Sequence, residues 1–200
     1  MRSYATYFSL ACVLLVASCR PNAPPGAVSL VQPGPTEFFT HEPSDFRFPP
    51  RLADFGREAV KQYDRDGLNV SVGYNLGQSV AMTVFVYPVA LAAPDNTLGV
   101  HFEACKRDVL SRHEGAAVVA EGPTTVAPGG QQRPGQHAAF TYTAPFARRQ
   151  QAVRSELYLF MDGKWFIKYR VTYAVGDQPT AEPAIKAFIE DLSWPTRGSG

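Results

Sequence analysis

The sequence predicts an α+β fold: a mostly antiparallel sheet flanked by helices, arranged as an α/β/α sandwich. Three observations carry this expectation. Apolar and polar residues alternate over 68–74 and 154–173, and a nearly unbroken apolar run spans 80–87. Two stretches, 98–109 and 185–192, shift to the longer period of an amphipathic helix. Of 200 residues, 45% are hydrophobic and 12% aromatic, enough to fill one core and to exclude global disorder.

The elements follow in order. A strand over 57–63 is expected to pair with 68–74 through the turn Asp64-Arg65-Asp66-Gly67. In the second of these, Leu68, Val70, Val72 and Tyr74 alternate with Asn69, Ser71 and Gly73, the pattern of a half-buried strand. The 80–87 run reads as a central strand covered on both faces and ended by Pro88. Leu98, Phe102, Cys105 and Val109 then mark one face of a helix, with Asp95 or Thr97 as its cap and Gly115 at its end. Shorter strands are expected around 117–121 and 137–143, separated by a Gly/Pro-rich loop, 128–135, that contains Arg133.

The strongest local signal is Asp162-Gly163 between two alternating runs, which predicts a type I′ hairpin. A two-residue turn there sets Met161 opposite Lys164 and Phe160 opposite Trp165. One face then carries Phe160, Tyr158, Trp165, Ile167, Tyr169, Val171 and Tyr173 as core. The other mixes Met161, Leu159, Leu157 and Phe166 with Lys164, Lys168 and Arg170, so partial cover is expected, with the cations as a solvated stripe on an edge strand; a stripe that meets an anionic partner such as a phosphorylated lipid or an acidic protein is the alternative. A short helix beginning near Thr180 carries Ile185, Phe188, Ile189 and Leu192, and Trp194-Pro195 closes the domain.

Residues 1–18 read as a signal peptide: one Arg, an apolar stretch and small residues at its end. The sequence Val16-Ala17-Ser18-Cys19 resembles the lipobox of bacterial lipoproteins, which implies acylation of Cys19 and cleavage just before it. An ordinary cleaved signal with an incidental Cys19 is the alternative. Several acyl chains, at about 0.8 kcal/mol per buried methylene, would anchor the chain stably to a membrane. Arg20 in place of Asp implies, by the same resemblance, the outer membrane facing the periplasm. Residues 19–44 are Pro-rich and read as a tether spanning up to roughly 75 Å. A single domain follows over 45–195, with a tail at 196–200.

Lys and Arg number 19 against 18 Asp and Glu, and loss of 1–18 leaves 18 of each sign. That balance argues against a nucleic-acid partner. The 63–68 hairpin, the strand Thr83-Val84-Phe85-Val86-Tyr87-Pro88, the helix, the Gly-Lys-Trp-Phe hairpin and the closing helix resemble PsbP-like domains. That group includes the photosystem II extrinsic subunit P and bacterial DcrB-type lipoproteins. The resemblance covers about 46–194 and implies the α/β/α sandwich. It brings no site residues with it.

No nucleophile elbow, zincin motif, P-loop or dinucleotide fingerprint occurs. Cys105 shares an apolar helix face and reads as core. The four His (41, 101, 113 and 137) are scattered, with His41 in the tether, and predict no metal site. The spacing Gln62-x-Asp64-x-Asp66-Gly67-x-Asn69 resembles a calcium loop, but its twelfth position is Gly73, so it reads as a solvated turn. No catalytic residue, metal or cofactor is expected. The expectation is a lipid-anchored accessory protein of the bacterial cell envelope that binds a protein partner. Its partner-binding residues would be Arg133 in the 128–135 loop and Phe146, Arg148 and Arg149 in the 145–151 turn. A carrier of an apolar or lipid-like ligand, or an unrecognised hydrolase, are the alternatives.

Overall fold

The computed structural model describes residues 28–92 and 97–195; the signal segment, Cys19, Asp95 and 196–200 lie outside them. The strands are β1 (Ser29–Val31), β2 (Phe39–His41), β3 (Phe46–Phe48), β4 (Arg51–Leu52), β5 (Phe55–Gln62), β6 (Val70–Leu76), β7 (Val80–Pro88), β8 (Ala117–Val126), β9 (Arg133–Phe146), β10 (Arg149–Asp162) and β11 (Trp165–Ala174). The helices are α1 (Leu98–Arg112) and α2 (Gln178–Asp191). A single antiparallel sheet runs β1–β5–β6–β7–β11–β10–β9–β8, with β4 added beside β5, while β2 and β3 form a separate hairpin. The architecture is the expected α+β sandwich, with one helix on each face.

Two cores result. Between the sheet and α2, Val72, Val84, Phe160, Ile167 and Tyr169 meet Ile185, Phe188 and Ile189, and Phe46, Phe48 and Trp194 close the end. On the other face Phe85, Phe140, Leu157, Leu159 and Phe166 pack against Phe102, Cys105 and Val109 of α1. Each such large side chain stabilises the fold by about 1.5–3 kcal/mol. The second face is therefore more completely covered than the sequence suggests: Leu157, Leu159 and Phe166 are fully buried, and so is Lys168 at 3% exposure. β11 lies between β7 and β10, so the expected edge-strand stripe is corrected to a central strand. The edge at the far side is β8, where Pro123 and a register shift between Val118 and Ala120 interrupt the ladder.

Thr97 caps α1 by accepting the Val100 amide, and Gly115 past its end takes φ 71°. The hairpin register is a correction. Asp162 faces Trp165 and Phe160 faces Ile167, so the turn is Gly163-Lys164. Gly163 alone has positive φ, at 60°, the pattern of a type II′ turn rather than I′. Asp162 stays in the strand because its carboxylate pairs with Arg133 at 2.9 Å. The displacement is two residues, so both faces keep the membership read from the alternation.

The N-terminal segment is corrected as well. Ser29, Leu30 and Val31 pair with Gln62, Lys61 and Val60, so part of the expected tether belongs to the sheet, and Phe39–His41 lies in the separate β2–β3 hairpin. His41, expected in the tether, is 2% exposed. Its Nε2 bonds the Gly67 carbonyl at 2.7 Å and its Nδ1 the Ser44 hydroxyl at 2.5 Å.

Candidate functional site

Three chain reversals meet at one end of the sheet. The β6–β7 turn brings Gly77 and Gln78, the β9–β10 turn brings Ala147 and Arg149, and the 3-10 turn Val175–Asp177 leads into α2. Together they line an open cleft of about 800 Å³. Arg149, Gln151 and Asp177 line it together with the small residues Ala152, Ala174 and Gly176. The β9–β10 turn is tight: Phe146 pairs with Arg149, leaving Ala147 at φ 48° and Arg148 at φ 63°. Left-handed backbone at two successive non-glycine residues costs about 1–2 kcal/mol each. The Gln151 amide, donating to the Phe146 carbonyl at 2.8 Å, helps hold that geometry. The lining offers charges and amides for recognition. Its Ser79 hydroxyl is engaged with the Leu76 carbonyl at 2.9 Å, and no His, Cys or Tyr lines the cleft.

Two ionisable groups lie deeper in the sheet. Glu156, 3% exposed, accepts at both carboxylate oxygens. Oε1 takes Tyr173 at 2.5 Å and Arg154 Nε at 3.2 Å; Oε2 takes Tyr158 at 2.5 Å and His137 at 3.2 Å. Burial alone would raise this carboxyl. The hydrogen bonds from His137, Tyr158 and Tyr173 outweigh it and hold the group down at about 2. All four lone-pair directions are used, so the cluster ties β9, β10 and β11 together and leaves no acceptor for a ligand. On the opposite face Lys168 lays its ammonium over the Phe85 ring at 4.4 Å and the Tyr87 ring at 5.5 Å. Among the described residues it has no carboxylate partner.

His101, Cys105, His113 and Asp64 are engaged within the fold. His101 shares a hydrogen bond with the Tyr87 hydroxyl at 2.7 Å and stacks on Phe166, and Cys105, 1% exposed, lies 3.8 Å from it. His113 stacks on Tyr142 at 4.0 Å; burial, with Arg170 and Arg112 adding to it, lowers its pKa. Asp64 does not present itself to a cation: its carboxylate caps its own turn, accepting the Leu68 and Asn69 amides at 2.9 and 2.7 Å.

The sequence-read partner residues are only partly brought together. Arg148 and Arg149 are exposed on one turn, and Arg149 enters the cleft. Phe146, expected at the surface beside them, is 6% exposed and belongs to the α1-side core. It points inward because it shares a face with Phe140 and Tyr142 along β9. Arg133 is bound internally, to Asp162, to Gln131 at 2.7 Å and over the Trp194 ring at 5.5 Å. Its loop is also more embedded than its composition suggests. Pro128 is buried, and a Cβ at Gly135 would stand 2.3 Å from the Phe160 ring and 2.7 Å from the Leu159 carbonyl. Sequence reasoning missed Glu156 as a network centre, although a carboxylate on the same strand face as Tyr158 and Tyr173 was a legible signal. Lys168 was noticed, but its burial was not.

No family model and no curated protein matches the chain. Among solved structures, a Pseudomonas aeruginosa protein of unknown function is similar, with TM-score 0.45 and 11% identity over 86% of this chain and 100% of that one. The solution structure of cyanobacterial PsbP (CyanoP) from Synechocystis sp. PCC 6803 is similar with TM-score 0.36 and 11% identity, over 86% of this chain and 95% of that one.

Proposed function

We propose that the protein is a lipid-anchored accessory protein of the cell envelope that acts by binding a protein partner, without catalysis. The observation that supports it best is the cleft of about 800 Å³ at the end of the sheet, built from three turns on a rigid scaffold and lined by both Arg149 and Asp177. Loops fixed by rigid strands are where recognition is commonly placed, and Arg is a frequent interface anchor. The anchor rests on Val16-Ala17-Ser18-Cys19 after a short apolar run. The space between sheet and α2 is occupied by Phe55, Tyr74 and Phe188 rings about their own contact distances, 5.0 Å apart, which favours a binder over a carrier of apolar ligands.

The test is made in cells. Cys19→Ser should move the protein from the membrane to the soluble fraction, and continued sedimentation with membranes would remove the anchor. Arg148→Glu with Arg149→Glu, in the acylated protein, should abolish a crosslinked species seen with the parent while membrane attachment and melting temperature stay unchanged. A folded, anchored double variant that keeps every crosslinked species would overturn the binding reading.

A further inference from the structure

The cleft at the end of the sheet is lined by a small set of uncommitted polar groups. Gln78 and Arg149 are exposed there, and neither they nor the Asp177 carboxylate make a side-chain hydrogen bond or ion pair with a described residue. The Gln151 amide nitrogen is engaged by the Phe146 carbonyl, which leaves its Oε1 as an acceptor. Apolar surface lies beside these groups, since Leu76 is half-buried and Val175 is 40% exposed. A Cβ at Gly77 or Gly176 would meet nothing within 4 Å, so a bound main chain has room to approach both turns. The turn that carries Arg149 is left-handed at Ala147 and Arg148, a conformation that Asn-Gly adopts with less strain. Such strain is concentrated at functional sites, and here it leaves two guanidiniums exposed at adjacent positions.

Shape and charge together choose the occupant. Sites for small free ligands bury most of the ligand surface, whereas this cleft is open; a segment held also by the rest of its own protein needs no such enclosure. Arg148 and Arg149 outnumber Asp177, which favours an anion of single charge. A phosphate dianion would be repelled by the Asp177 carboxylate. A peptide carboxylate instead meets Arg149 in a two-pronged contact while a neighbouring main-chain N–H donates to Asp177. The fold also sets the side from which the segment comes. The register places Ser29, Gln62, Val70, Val86, Ile167 and Phe160 in one row across the sheet. From that row the cleft lies six residues along β6 at Leu76, about 20 Å away, and eleven along β10 at Arg149, about 36 Å away. The chain that follows Cys19 therefore enters the sheet near the end opposite the cleft.

We propose that the cleft binds an extended acidic peptide segment of a protein partner, presented from the side of the domain remote from the chain's entry. The proposal rests on the binding reading above and names the chemistry of the bound segment. Arg149 is the primary contact for the carboxylate and Arg148 adds attraction from the same turn. An apolar side chain next to the acidic residue packs on Leu76 and Val175, and a main-chain N–H donates to Asp177.

The test selects a phage library of random heptapeptides on the protein purified from cells in detergent and immobilised by a C-terminal tag, after depletion on tag-bearing resin alone. The selected sequences should share Asp or Glu beside an apolar residue. A synthetic peptide of that consensus should lose about tenfold in affinity when its acid is changed to the amide, and about tenfold on Arg149→Ala. Arg148→Ala should weaken it about threefold, and Lys186→Ala, exposed on α2, should leave it unchanged. Ala147→Asn with Arg148→Gly should raise the melting temperature by about 2–4 °C while weakening the peptide as Arg148→Ala does. No enrichment, a consensus without a carboxylate, or equal binding by a folded Arg149→Ala variant overturns the site. If selection fails while Arg148→Glu with Arg149→Glu still loses its crosslinked species in cells, only the acidic segment is overturned; if the crosslinked species also persists, the binding reading falls with it.

Discussion

Glu156 and Lys168 sit on adjacent strands of the same sheet, each 3% exposed, yet they point to opposite faces and meet opposite surroundings. Glu156 is answered by four donors from three strands, two of them tyrosine hydroxyls at 2.5 Å. Lys168 is answered by the faces of two rings. A buried charge with every hydrogen-bonding direction filled is scaffold, because any ligand would have to displace a partner already in place. Lys168 instead gains cation–π attraction of about 0.5–2 kcal/mol from rings on the neighbouring strand, with its stem packed inside the sheet. The same degree of burial thus marks a hydrogen-bonded lock on one face and a lysine packed against aromatic rings on the other.

The largest effect that sharpens this contrast is loss of the lock. Glu156→Ala should destabilise the domain by about 3–5 kcal/mol, read from the denaturant midpoint, because Arg154, His137, Tyr158 and Tyr173 lose their common acceptor. A change below 1 kcal/mol would show that the network contributes little.

Acid probes the same carboxylate without mutation. Its folded-state pKa of about 2 lies below the ordinary value of 4.5. Its contribution is therefore fully present above pH 4.5 and is lost as pH falls through 2, a total of about 3 kcal/mol. Tyr158→Phe should shrink that acid limb measurably, and an identical pH profile would separate the hydroxyl from the carboxyl's stabilisation.

A milder acid effect belongs to the N-terminal hairpin. Burial lowers the pKa of His41 from 6.5, against the raising influence of its bond to Gly67. The stability it contributes as the neutral ring is complete above pH 6.5 and declines as pH falls toward the folded value. The protection factors of the β2 and β3 amides, corrected for the intrinsic pH dependence of exchange, should fall below pH 6.5 ahead of those of β10, and His41→Gln should flatten that dependence.

How much of this was legible in the sequence follows from the physics of each signal. Face membership in β10 and β11 was legible because side-chain alternation has period two, so a two-residue register error leaves it intact. The turn itself was not. Asp-Gly is a strong type I′ signal, but the buried pair of Asp162 with Arg133, 29 positions earlier in the chain, keeps Asp162 in the strand, and no local pattern encodes that. Conversely, Ala147-Arg148 carries no left-handed signature, yet both residues adopt positive φ because Phe146 and Arg149 are paired across the two strands. The candidate site shows the same division. Arg148 and Arg149 were visible as turn cations, whereas the burial of Phe146 depended on the long β9 strand continuing to the turn. The burial of Lys168 depended on which strand stands beside β11, a matter of topology rather than composition.

The contrast between the two charges is tested most directly by one pair of denaturation curves, Lys168→Met and Glu156→Gln, each compared with the parent in phosphate-free buffer without lipid. Removing a charge held by ring contacts should leave stability within about 1 kcal/mol of the parent, while neutralising the hydrogen-bonded one should lower it by about 2–4 kcal/mol. A loss of stability in Lys168→Met as large as that in Glu156→Gln would contradict the account, since it would mean that more than ring contacts holds Lys168.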